Sequence, residues 1–218
     1  MAFDVPREGA MPVIWDQSSS VLSQGDILHA GRQGREQDVS VEIPGFGAAR
    51  VDVAYGGNFS AILEVVRLRR SLPVSALREL TDLGLATVEA VRNTVAIAHP
   101  NETEPAMLKA AILAEAGTAS RPARNIMVKE PGYFDRSPCG TGTSARMALE
   151  HRRGNLGLGE PYRHESILGT VFEGRLVTEA DVGGIPAVIP QITGRAWITG
   201  ACEFALDPGD PFPAGFKF

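Results

Sequence analysis

The sequence predicts an α+β fold in which short, mostly antiparallel strands wrap around a central helix. Three observations carry this. Val39, Val41 and Ile43 alternate with polar residues, then Pro44-Gly45-Phe46-Gly47 supplies a turn into a second run, Val51-Asp52-Val53, as a β-hairpin requires. After Pro73, Leu77, Leu80, Leu83, Thr87, Val88, Val91 and Val95 recur at the spacing of an amphipathic helix. Thr143 to Arg153 holds good helix formers, with cationic residues in its last turn and Gly154 as a stop.

The remaining elements follow in order. Residues 1–38 show no sustained period of either kind and are expected to be a loosely structured lead-in. Tyr55-Gly56-Gly57-Asn58 is a tight backbone feature, because paired glycines permit positive φ and close approach. Phe59 to Val66 reads as a strand leaving it, and Met107–Leu113 and Asn125–Val128 as further strands. Gly84 is an unfavourable residue inside the first helix. Ser166–Phe172 and Arg175–Thr178 form a second expected hairpin, with its turn at Glu173-Gly174. Val188-Ile189-Pro190 and Ile192–Ile198 complete a strand-rich end.

At 218 residues the chain is long enough to bury a sizeable core, and its net charge of −5 leaves no broad basic field for a nucleic acid. No apolar run has the length of a membrane span. The N-terminus lacks a basic-then-apolar leader, so a cytoplasmic location is expected. The two cysteines do not make a disulfide framework. No His, Cys and carboxylate set has metal spacing. Asn58-Phe59-Ser60 and Asn101-Glu102-Thr103 match the glycosylation pattern, without the secretory context that would give it meaning. Gly154 to Gly159 lacks the setting of a phosphate loop and reads as a connector.

Chemistry concentrates in Asp135-Arg136-Ser137-Pro138-Cys139-Gly140-Thr141-Gly142-Thr143. Cys139 precedes a helix whose first-turn amides carry partial positive charge, which favours a thiolate. Small residues after it keep those amides uncovered, so a carboxylate would be held by the nitrogens of Gly140, Thr141 and Gly142. Asp135 would accept hydrogen bonds from an ammonium or secondary amine. Together these groups describe recognition of an α-amino acid at its α-carbon and proton abstraction there. Such a proton is weakly acidic, so the site must hold preorganised donors and exclude water. From the residues alone, Cys139 reads either as that acid or base or as a small core side chain. Cys202, in the apolar run Gly200-Ala201-Cys202-Glu203-Phe204, reads as core.

The stretch Asp135 to Arg146, DRSPCGTGTSAR, closely resembles the second catalytic motif of the proline racemase and hydroxyproline epimerase family. The likeness extends in family order to Val51–Phe59, Glu165–Gly174 and Ile192–Gly200. It implies a diaminopimelate-epimerase-like fold of two pseudo-symmetric lobes with the site between them. The chain would supply the second lobe over residues 39–200, only one lobe being complete, with residues 201–218 a tail that packs on the first. The resemblance also implies cofactor-independent chemistry by two thiols on opposite faces of proline or hydroxyproline. Cys139 would be the second thiol, Asp135 would contact the substrate nitrogen, and Gly140 with Thr141 its carboxylate.

The sequence departs from the family pattern in two places. Residues 1–38 contain no cysteine, and Cys202 has no following glycine or helix, so a half-site is expected. A truncated chain of that kind is either impaired as an enzyme, a non-catalytic binding protein, or completed by another copy in a homodimer. Hydroxyproline epimerases carry a pocket histidine in the region of Met107–Leu113, where this chain has Lys109, Ala110 and Ala111. Dehydratase members have threonine at the second cysteine, and Cys139 argues against that branch.

Overall fold

The computed structural model describes residues 11–16, 25–26, 38–99, 107–197, 207–212 and 215. Eleven strands and two helices appear among them: β1 (Met11–Asp16), β2 (Gly25–Asp26), β3 (Val39–Ile43), β4 (Gly47–Tyr55), β5 (Phe59–Glu64), α1 (Leu77–Thr94), β6 (Ala110–Glu115), β7 (Ala123–Lys129), β8 (Tyr133–Phe134), α2 (Gly140–Arg152), β9 (Tyr162–Ser166), β10 (Val171–Val182) and β11 (Ile185–Ala196). They form one mixed sheet in the order β1-β11-β10-β9-β7-β6-β5-β4-β3, with β2 on β11 and β8 on β7.

Most pairs are antiparallel, but β5 lies parallel to β6 and β7 parallel to β9. Parallel neighbours need a crossover, and the two helices provide them on opposite faces. Leu80, Leu83, Val88 and Val91 of α1 pack with Ala61, Leu63, Ala111, Leu113, Ile126 and Val128. Ala145 and Leu149 of α2 pack with the intervening residues Ala54, Ile62, Ile112 and Met127. The strict alternation of these two sets along β5, β6 and β7 is the pleat of a strand covered on both sides.

The central helix is α2. Gly142 to Leu149 is buried continuously, because Met147 and Ala148 pack in the other direction, against Leu176, Val188 and Ile192 of β10 and β11. A helix enclosed on all sides has no polar stripe, which is why its sequence shows composition and caps but little periodicity.

The first predicted hairpin is present: β3 and β4 pair from Val39–Val51 to Ile43–Gly47. The predicted turn at Glu173-Gly174 is not, since both residues lie inside β10. The bend falls earlier, at Gly169 (φ 83°), and the next at Gly183-Gly184 (φ 59° and 84°), a glycine pair suited to a tight hairpin. Gly174 serves close packing instead: a Cβ there would sit 2.5 Å from Sδ of Met147 on α2. Gly84 has the same explanation, for its Cβ would meet Val128 Cβ at 2.6 Å where α1 crosses β7. Within the stretch expected to be loosely structured, Met11–Asp16 pairs in continuous antiparallel register with Gln191–Ala196. A strand supported by backbone pairing at a sheet edge needs no periodic side chains of its own.

Candidate active site

Cys139 caps α2 with φ 69° and ψ 126°, a left-handed backbone that non-glycine residues rarely adopt. The loop before it is pinned from both sides. The Asn125 amide donates to the Pro138 carbonyl at 3.1 Å, and the Cys139 amide donates to Ser137 Oγ at 3.2 Å. The backbone amide and hydroxyl of Thr143 both donate to the Cys139 carbonyl at 2.8 Å. By helix geometry the amides of Gly140 and Thr141 are left without intrahelical acceptors.

The thiol of Cys139 lies 3.4 Å from Thr141 Oγ1 and opens on a cavity of about 440 Å³, within the size range of small-molecule sites. Cys139, Gly140 and Thr141 form one wall, Lys129 and Asn58 a second, and Phe172 with the Pro190–Ala196 part of β11 a third. Phe172 reaches this position because Gly194 opposite has no side chain; a Cβ there would lie 2.5 Å from the ring. Three of the five residues singled out from the sequence, Cys139, Gly140 and Thr141, therefore line one cavity. Gly142 is buried behind them, and Asp135 stands beside the cavity, its carboxylate accepting a hydrogen bond from Lys129 Nζ at 2.9 Å.

Lys129 is the residue that sequence reasoning missed. It ends β7, ten positions before the cysteine, and nothing in its neighbours marks it. Its charge also acts on the Cys139 sulfur, favouring the thiolate. Burial works against the charge of Lys129, but the Asp135 bond and the cysteine outweigh it and hold the pKa above that of an ordinary lysine.

The expected net bias toward thiolate is not found. Burial pushes the Cys139 thiol up, and the Asp135 side chain adds to this. The Thr141 hydroxyl, the Gly142 amide and the Lys129 charge pull the other way without prevailing. Burial and Asp135 thus favour the neutral thiol, while the Thr141 hydroxyl, the Gly142 amide and the Lys129 charge are the groups placed to favour a thiolate.

Behind the loop lies a buried polar set that the sequence did not announce. Arg146 of α2 donates from Nε to the Tyr162 hydroxyl at 3.2 Å and pairs with Glu64 at 3.5 Å. His164 Nδ1 lies 2.9 Å from Thr143 Oγ1. Cys202 falls outside the described residues, and no group of three or more potential metal ligands occurs among the described ones.

A model of proline racemase matches residues 25–217. The chain belongs to the proline racemase family. The match reaches further back than the motif blocks, which begin at Val51. The chain is similar to a 4-hydroxyproline 2-epimerase of Streptosporangium roseum, 45% identical over 82% of this chain and 54% of that one. It is 36% identical to a proline racemase of Clostridioides difficile, over 83% of this chain and 54% of the relative. A hydroxyproline epimerase from Agrobacterium vitis, solved with bound trans-4-hydroxy-L-proline, superposes with a TM-score of 0.72 at 32% identity, over 84% of this chain and 53% of that one. The fold matches that of these family members, and the chain spans about half the length of the relatives it matches. No helix among the described residues is long and apolar enough to cross a membrane.

Proposed function

We propose that this chain carries one half-site of a cofactor-independent racemase or epimerase acting at the α-carbon of proline or hydroxyproline. The observation that supports it most is the convergence of Cys139, Gly140 and Thr141 on a single cavity, which Lys129, paired with Asp135, also lines. In this reading the substrate carboxylate takes the uncovered amides of Gly140 and Thr141. Its nitrogen takes Asp135, displacing part of the Lys129 contact. Cys139 then exchanges a proton with one face of the α-carbon, and the helix amides, Thr141 and Lys129 receive the charge of the thiolate. The relatives' names and the hydroxyproline in the Agrobacterium vitis structure agree with a proline-type ligand.

Residues 39–200 would be the second of two lobes, with a facing thiol needed for inversion. No cysteine precedes Cys139 in the sequence. A facing thiol would come from another chain, such as a second copy, or from a first lobe joined to this one. Incubation with each stereoisomer of proline and 4-hydroxyproline, followed by chiral separation, tests the reading. Inversion that Cys139→Ser abolishes supports it in full. The alternative is a binding protein that retains the cradle. It is favoured if calorimetry finds pyrrole-2-carboxylate bound while no stereoisomer changes. Neither binding nor turnover rejects both.

A further inference from the structure

The left-handed backbone at Cys139 is disfavoured for a residue with a Cβ, so its neighbours must hold it. Its carbonyl accepts two hydrogen bonds from Thr143, one from the amide and one from the hydroxyl, each 2.8 Å. The same hydroxyl oxygen lies 2.9 Å from Nδ1 of His164. A carbonyl cannot donate, so the single hydroxyl proton of Thr143 points at Cys139. The second contact is then a hydrogen bond only if the imidazole is the donor, which puts a proton on Nδ1.

The surroundings of His164 fix its charge as well. It is fully buried on β9, between the apolar register partners Ala123 on β7 and Phe172 on β10. The Tyr162 ring is 5.5 Å away. The nearby charge is Arg146 on α2, which is paired with Glu64 of β5. Burial first, and Arg146 second, hold the imidazole well below the usual histidine range. It is therefore neutral, with Nδ1 protonated and Nε2 bare.

We propose that His164 is a positioning residue for Cys139: its Nδ1–H orients the Thr143 hydroxyl, which clamps the Cys139 carbonyl and keeps the thiol on the cavity wall. The consequence for catalysis rests on reading Cys139 as the reacting thiol, but the relay itself is a matter of geometry. It links β9, 25 positions later in the chain, to the one backbone angle that aims the sulfur.

Nitrogen-resolved NMR of the full chain tests it. His164 should show a protonated Nδ1 and an unprotonated Nε2, unchanged across the range in which free histidine titrates. A left-handed residue brings its own amide and α-hydrogens close together, so Cys139 should give a strong intraresidue cross-peak. That peak should survive in His164→Asn, whose carboxamide can replace the Nδ1–H donor, and be lost in His164→Leu. Should the leucine variant fail to fold, Thr143→Ser against Thr143→Val makes the same comparison at the hydroxyl. A proton on Nε2, ordinary titration of His164, or an unchanged Cys139 peak in both His164→Leu and Thr143→Val would overturn the relay. None of these readouts needs substrate. If the relay holds and no stereoisomer exchanges its α-hydrogen or is inverted, the functional reading alone has failed.

Discussion

Gly56 lies directly against Thr141. A Cβ built on Gly56 would stand 2.2 Å from the Thr141 carbonyl oxygen and 2.7 Å from the Ala145 amide nitrogen. Both are backbone atoms of α2 and cannot swing aside. The glycine pair after β4 is therefore the seat on which the cysteine loop rests, with Gly57 (φ 100°) turning the chain into β5. Gly56→Ala should lower stability by about 1–3 kcal/mol through overpacking and should shift the Cys139 and Thr141 amide resonances. Denaturant titration with an NMR spectrum checks both.

Gly140 makes the opposite prediction. Nothing lies within 4 Å of the Cβ it would carry, and its φ is not positive. Gly140→Ala should leave stability within about 0.5 kcal/mol of the starting protein, as surface substitutions do. The added methyl would partly cover the first-turn amides on the cavity wall, so affinity for pyrrole-2-carboxylate should fall. Calorimetry beside denaturant titration separates the two effects. An unchanged affinity would mean that the carboxylate does not bind at these amides.

The two glycines show how unevenly the sequence discloses the structure. The pair at Gly56-Gly57 announced a close approach without saying what approached. Val39–Ile43 and Leu77–Val95 were legible because each has one solvent-facing side, which leaves a period in the sequence. β5, β6 and β7 are buried on both faces, so they show as apolar runs and their parallel pairing shows not at all. Glu173-Gly174 misled because glycine marks both turns and tight packing; only the position of Met147 decides between them. At the site, Cys139, Gly140 and Thr141 are adjacent in sequence and could be found together. Lys129 and His164 reach them through sheet pairing, which no local pattern encodes.

Lys129 and Asp135 should act on the thiol in opposite directions. Removing the ammonium in Lys129→Met withdraws a stabilising charge, so roughly tenfold less thiolate should form at a given pH. Burial is the main cause of the raised thiol, and Asp135→Asn removes the side chain that adds to it and frees the Lys129 charge, so the thiolate fraction should rise. The ultraviolet absorbance of the thiolate, taken as the difference from Cys139→Ser to remove the Cys202 signal, measures both. Equal titration of all three proteins would exclude Lys129 from the site's electrostatics.

Asp52 gives the fold a pH dependence. Its carboxylate is buried on β4, paired with Arg153 at 2.7 Å and Arg67 at 3.8 Å. Burial is nonetheless the larger influence and raises its pKa from 3.8 to about 6. The folded state then holds the proton more tightly than the unfolded chain, so the associated stability is complete below about pH 4 and is lost as pH rises through about 6. About 2–3 kcal/mol is at stake for a shift of this size. Denaturant midpoints should decline across that window, and Asp52→Asn should lack this part of the decline. A parallel pH profile in the variant would assign the slope elsewhere.

Under the proposed function, Cys139 exchanges a proton with the α-carbon of a proline-type amino acid. The most direct measurement is to incubate the chain in deuterated water with each proline and 4-hydroxyproline stereoisomer and follow the α-hydrogen by NMR. Deuterium should enter the α-position of at least one isomer, Cys139→Ser should abolish this, and Cys202→Ser should not. Incorporation with retained configuration would show the single-faced half-site at work, and inversion would show that a second thiol faces it. No incorporation into any isomer while Cys139 is unmodified, or incorporation that persists in Cys139→Ser, would rule out proton exchange at Cys139.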